Sequence, residues 1–177
     1  MAENITLRGP LLDQLAGGDR WSVGEANLVV DKILAEPERL LEIIGGLFDP
    51  DAIVRSRAAQ VAEKISAVHP DWLAPFKAAL LRRMQTAEEK EERSRLAQMA
   101  PRLPLEPEER KTCVARLAVW LADNSRTVQA SSLDALGELA LADSDARGQV
   151  LQVLETCAAS EIHAVRVRAL RVLTRLR

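Results

Sequence analysis

Tyrosine is absent from this 177-residue sequence, and aromatic residues make up only 3% of it. Stacking platforms for single-stranded nucleic acid are therefore scarce. Strands, which favour aromatic and β-branched side chains, are disfavoured as well. Net charge is almost missing: 24 basic and 26 acidic residues leave −2, so no global basic bias advertises nucleic acid or anionic lipid. Only two cysteines occur, Cys113 and Cys157. Far apart and without metal-type spacing, they make neither a disulfide framework nor a zinc site, and the reading is of small core residues. No run approaches the ~18 apolar residues of a membrane span. The opening MAENITLRGP has no apolar stretch and no cleavage-like end, which sets the expectation of a cytoplasmic location.

What the sequence does have is alanine, leucine and a repeat. Its 47% hydrophobic and 28% charged content is that of a folded globular chain. Arg55 to Ala62 recurs 38 residues later as Arg93 to Ala100, with two conservative changes. Related segments open at Val128 and Val165, and a fainter copy precedes them around Val29, Lys32 and Ile33. Within a copy, Val54, Ala58, Val61 and Ile65 are spaced by 4, 3 and 4 residues and so share one helical face. Val165, Ala169, Val172 and Leu176 repeat that stripe. Small residues at its second position (Ala58, Ser132, Ala169) allow a neighbouring helix to approach closely. Between the copies lie other helical segments opened by Pro37, Pro70 and Pro107, where a missing amide hydrogen costs nothing. The last such segment is capped by Asp143 or Ser144. One hairpin of this kind cannot bury its stripe alone, so hairpins must stack. The reading is a single repeat domain over 1–177, with repeated helices near 21–35, 50–66, 89–103, 125–140 and 161–176. A short leading helix near 10–16 precedes one unpaired repeated helix and four hairpins. Pro101 should kink the third repeated helix.

These residues resemble HEAT repeats. The matching pattern is an aspartate, then Val-Arg, then alanine four residues after the valine, then leucines: Asp51, Val54-Arg55 and Ala58, or Val165-Arg166, Ala169, Leu173 and Leu176. An internal proline of the preceding helix is matched by Pro75. Departures are Gln129 for the arginine of the fourth copy, Glu92 for the valine of the third, and Val23 for the arginine of the first. The resemblance implies an all-α, right-handed α-α superhelical solenoid of about four to five HEAT-type hairpins, armadillo-like in build. It also implies that the Arg55, Arg93 and Arg166 set is structural, pairing with an aspartate in a neighbouring turn to hold repeats in register.

Chemistry-bearing motifs are lacking. His69 and His163 lie far apart, each at a helix start, and suit capping or surface roles; no catalytic, cofactor or metal site is expected. There is no dinucleotide fingerprint, P-loop or nucleophile elbow. Glu88, Glu89, Glu91 and Glu92 read as a solvated helix start. Trp21, Trp72 and Trp120 read as core. Some DNA glycosylases and bilin lyase subunits also resemble HEAT arrays, but no supporting motif occurs, and the reading is of a non-enzyme.

On a helical wheel Ser56, Gln60 and Glu63 point away from the core, with Ser94, Gln98, Ala130, Asp134, Val167, Arg171 and Thr174 as counterparts. In HEAT arrays this strip lines the concave face. Arg57, Arg95 and Arg168 flank it without a structural reason. The candidate partner-binding residues are thus Arg57, Gln60, Arg95, Gln98, Arg168 and Arg171. The preferred reading is a scaffold or adaptor gripping a protein segment; the alternative is nucleic acid or another polyanion held by the arginines. Leu170 and Leu173, round the side of the last helix, are candidate contacts for a homodimer.

Overall fold

A computed structural model describes residues 9–16, 24–142 and 144–176; Trp21, Val23 and Asp143 lie outside them. Among the described residues ten α-helices follow one another: α1 Pro10–Ala16, α2 Gly24–Ala35, α3 Leu40–Gly46, α4 Ala52–Val68, α5 Lys77–Thr86, α6 Lys90–Met99, α7 Pro107–Trp120, α8 Arg126–Ala142, α9 Ser144–Ala158 and α10 His163–Leu176. No strand occurs among the described residues.

The starts follow local chemistry. Pro37 and Pro70 open 3₁₀ turns at Pro37–Arg39 and Pro70–Phe76 that lead into α3 and α5, while Pro107 opens α7 directly. Asp51 caps α4 by accepting the Ile53 amide at 2.8 Å. The Glu106 amide donates to Glu109 at 2.8 Å across the first turn of α7. Pro101 does more than kink: α6 stops at Met99 and the chain tightens into a 3₁₀ turn at Ala100–Arg102. Proline has no amide to continue the α-helical ladder.

The even-numbered helices α2, α4, α6, α8 and α10 stack successively into one layer. The odd-numbered helices form the second layer, with α1 against α3, α5 against α7 and α7 against α9. The protein is an all-α helical-repeat solenoid. Its first repeated helix is not unpaired: α1 packs on α2, and also on α4. The core is one continuous apolar cluster from Leu11 to Leu176. Val54, Ala58, Val61 and Ile65 have no exposed surface, and Val165, Ala169, Val172 and Leu176 are buried. α8 and α10 approach closely: a Cβ on Gly137 would lie 2.6 Å from Val172 Cγ1. Of the tryptophans, Trp120 is buried, and Trp72 is half-buried with its ring stacked on His69 at 4.1 Å between centroids.

Two expectations are corrected. Glu92 is not on a solvated helix start. It occupies the Val54 position of its repeat, fully buried, and receives Arg83 of α5 through two bonds of 2.5 and 2.8 Å. Glu88 and Glu91 are exposed. Leu173 is also buried, at 5% exposure, rather than open round the side of the last helix. α10 buries Leu173 beside Val165, Ala169, Val172 and Leu176, with both α8 and α9 packed against it; the equivalent position on α4, Ala62, is buried too. Leu170 and Val167 remain exposed.

Candidate binding surface

The two sets of arginines on the repeated helices do different things. The first set folds back on the turn before its own helix. Arg55 donates to the carbonyls of Asp49 and Pro50 at 2.9 and 2.8 Å, and Arg166 to those of Ser160 and Glu161 at 2.7 and 3.5 Å. Arg93 donates to the Glu88 carbonyl and pairs with Asp123, in the turn before α8, at 2.8 Å. Gln129, the departure from the pattern, donates to the Asp123 carbonyl at 2.7 Å and so performs the same task without a charge. These side chains satisfy turn carbonyls that would otherwise need water.

The second set reaches across to the preceding layer neighbour. Arg168 of α10 grips Asp134 of α8 through Nε at 2.9 Å and a terminal nitrogen at 2.5 Å. This planar pairing uses both carboxylate oxygens. The bonds to Asp134 raise the pKa of Arg168 against the opposing effect of partial burial. Arg95 of α6 reaches back to Glu63 of α4 at 3.4 Å. Arg102 shares that carboxylate at 3.1 Å and also donates to Ser66 Oγ at 2.7 Å. Arg57 differs from both. It is only 5% exposed and donates to the Leu15 carbonyl at 2.6 Å, clamping α1 to α4.

Gln98 lies on α6 between these pairs. Its amide nitrogen donates to the Ser94 carbonyl at 3.1 Å and approaches Ser94 Oγ and Ser131 Oγ, each at 3.3 Å; the two hydroxyls are 2.9 Å apart. Ser94 and Ser131 are buried, so they form a polar floor under the half-exposed glutamine. Gln60 is half-buried on α4, and Arg171 is exposed on α10.

Three clefts adjoin one another here, the first two over this floor. The first, about 270 Å³, includes Lys90, Glu91, Arg95, Gln98 and Thr127. The second, about 430 Å³, shares Gln98 and Thr127 with the first and adds Arg102, Asp134, Glu138 and Arg168. The third, about 180 Å³, shares Ala130 and Arg168 with the second and adds Arg126. Shared borders make them one trough crossing α6, α8 and α10. It brings Arg95, Gln98 and Arg168 together and leaves Arg57 outside. Arg102 belongs to it although the helical wheel did not select it. The signal was Pro101, which ends α6 and turns the next residue back towards α4.

Among the described residues, no group of three or more His, Cys, Asp or Glu is placed to hold a metal ion. No helix among them is long and apolar enough to cross a membrane. No family model and no curated protein matches the chain. Several solved structures are similar to it, two of them as follows. One is an engineered protein, with 19% identity over 94% of this chain and 70% of that one, at a TM-score of 0.65. The other is a designed armadillo repeat protein solved in complex with the peptide (KR)4, with 17% identity over 95% of this chain and 81% of that one, at a TM-score of 0.66. At such identities the likeness concerns the fold: the class is the all-α helical-repeat solenoid.

Proposed function

We propose that the chain is a non-catalytic scaffold that binds an extended segment of a partner protein in the trough over α6, α8 and α10. Within the helical-repeat class, its arginine-to-turn bonds favour the HEAT type. The observation that carries the functional reading is the continuity of the three clefts, the first two of them floored by Gln98, Ser94 and Ser131. Helices in contact lie about 8–10 Å apart, so the crossing from α6 to α10 is roughly 16–20 Å. Extended chain advances about 3.3–3.6 Å per residue, so the trough accommodates five or six residues. An extended segment carries unpaired backbone amides and carbonyls, and a floor of hydroxyls and a side-chain amide can meet them. The similar designed armadillo protein was solved with a peptide, which supports a segment as the kind of occupant.

The test is selection of a random peptide-display library against the intact chain, followed by amide shift mapping with the enriched peptides. The reading expects shifts concentrated on α6, α8 and α10. Enriched peptides that move only amides elsewhere on the surface would remove it.

A further inference from the structure

The charges along the trough are not evenly spread. Near α4 and α6, two guanidiniums, Arg95 and Arg102, share the single carboxylate of Glu63. Near α8 and α10, Arg126 and Arg168 line one cleft, and the carboxylate paired there is Asp134. Each end therefore holds two cations to one acid. Between them the cleft is lined by the uncharged Gln98, Ser131, Thr127 and Ala130, and by Glu138. Glu91 stands beside Lys90 at 3.8 Å, and Glu138 is exposed at the edge.

We propose that the occupant is an acidic extended segment of a partner protein, with one carboxylate set at the Arg95–Arg102 end and another at the Arg126–Arg168 end. This rests on the reading of the trough as a segment-binding surface. Arg95, Arg102 and Arg168 are already held by acids on neighbouring helices, so they lose little rotamer freedom when an incoming carboxylate adds to them. The 16–20 Å between the ends sets the two acids about five residues apart in extended chain. Nucleic acid fits less well: the cations form two separated clusters rather than a track, and no aromatic side chain lines any of the three clefts for bases to stack on.

The display library decides between these chemistries. Enriched peptides should carry Asp or Glu at two positions about five residues apart. Arg126→Glu should weaken them about tenfold; Arg126 is exposed in the first turn of α8, where a negative charge suits the helix, so folding is preserved. Glu138→Lys should tighten them about threefold. Neutral or basic peptides that still move amides of α6, α8 and α10 would overturn the acidic assignment and leave the segment-binding reading standing. Displacement of acidic peptides by an oligouridylate of equal length, at lower concentration and with a steep salt slope, would overturn it in favour of nucleic acid. Failure to enrich any peptide, or shifts confined to other faces, would remove both readings.

Discussion

Glu92 of α6 and Arg83 of α5 form a two-bond ion pair at a position that is valine in the repeats on either side. Glu92 has no exposed surface and the Arg83 side chain only 10%. Bonding to Glu92 raises the pKa of Arg83 against desolvation. Two charges brought out of water are costly, and their mutual attraction roughly offsets that cost. Glu92→Ala should therefore destabilise the fold by about 3–5 kcal/mol, because it strands a buried guanidinium. Glu92→Val with Arg83→Leu should be neutral or stabilising by about 1–4 kcal/mol. Urea unfolding of the two variants checks both figures; a double variant as unstable as Glu92→Ala would mean that the pair contributes more than it costs.

Gly137 is a second test of the stacking. Its missing Cβ is what lets Val172 of α10 lie against α8. Gly137→Ala improves helix propensity by about 1 kcal/mol, yet it places a methyl 2.6 Å from Val172 Cγ1. Overpacking costs about 1–3 kcal/mol, so net destabilisation is expected. Val172→Ala added to it should recover part of the loss, giving non-additive energies in a thermal double-mutant cycle. Strict additivity would show that the helices are not in contact there.

Helical spacing and proline punctuation were enough to read the layers and most buried positions, because a 3.6-residue stripe and an N-terminal proline are local properties. The residues that escaped depend on neighbours distant in sequence. Glu92 looked solvated because its partner Arg83 lies on the preceding helix, out of phase with the repeat. Arg57 looked like a surface flank because its wheel position matches Arg95 and Arg168, but only there does α1 cover the flank. Leu173 lies one position beyond the Val165, Ala169, Val172 and Leu176 spacing and is buried because α8 and α9 both pack against α10. Gln129, a departure from the repeat's arginine, makes a turn-carbonyl contact of the same kind as Arg55 and Arg166.

The two thiols carry a pH prediction. Burial pushes Cys113 up to about 12, and raises Cys157 by a smaller degree of burial. A thiol whose pKa is raised by folding favours the folded state only while it stays neutral. Its contribution is intact below the unfolded value, about 8.5. It is lost as pH rises from there towards 12. Alkylation of the native protein at pH 8 should therefore be slow at both sites, with half-buried Cys157 modified before buried Cys113. Mass spectrometry of timed samples gives the order directly; equal rates would indicate that α7 opens as readily as α9.

Arg57 separates stability from binding. Arg57, Arg95 and Arg168 occupy equivalent positions, but only Arg57 is spent on the fold, donating to the Leu15 carbonyl beneath α1. Removing it leaves a carbonyl at a helix end without that donor, in a setting largely closed to water. An unsatisfied buried acceptor costs about 1–3 kcal/mol. Arg57→Ala should lower the melting temperature by several degrees and loosen α1, which hydrogen exchange would report as faster exchange in Pro10–Ala16. Peptide affinity should hardly change, because the trough lies over α6, α8 and α10. Arg168→Gln should do the reverse. Its pair with Asp134 is about 40% exposed on both sides, and exposed pairs contribute little to stability. Affinity for an acidic segment should nevertheless drop. If Arg57→Ala weakens binding while the melting temperature stays put, the buried clamp has been misassigned and the trough must extend to α4.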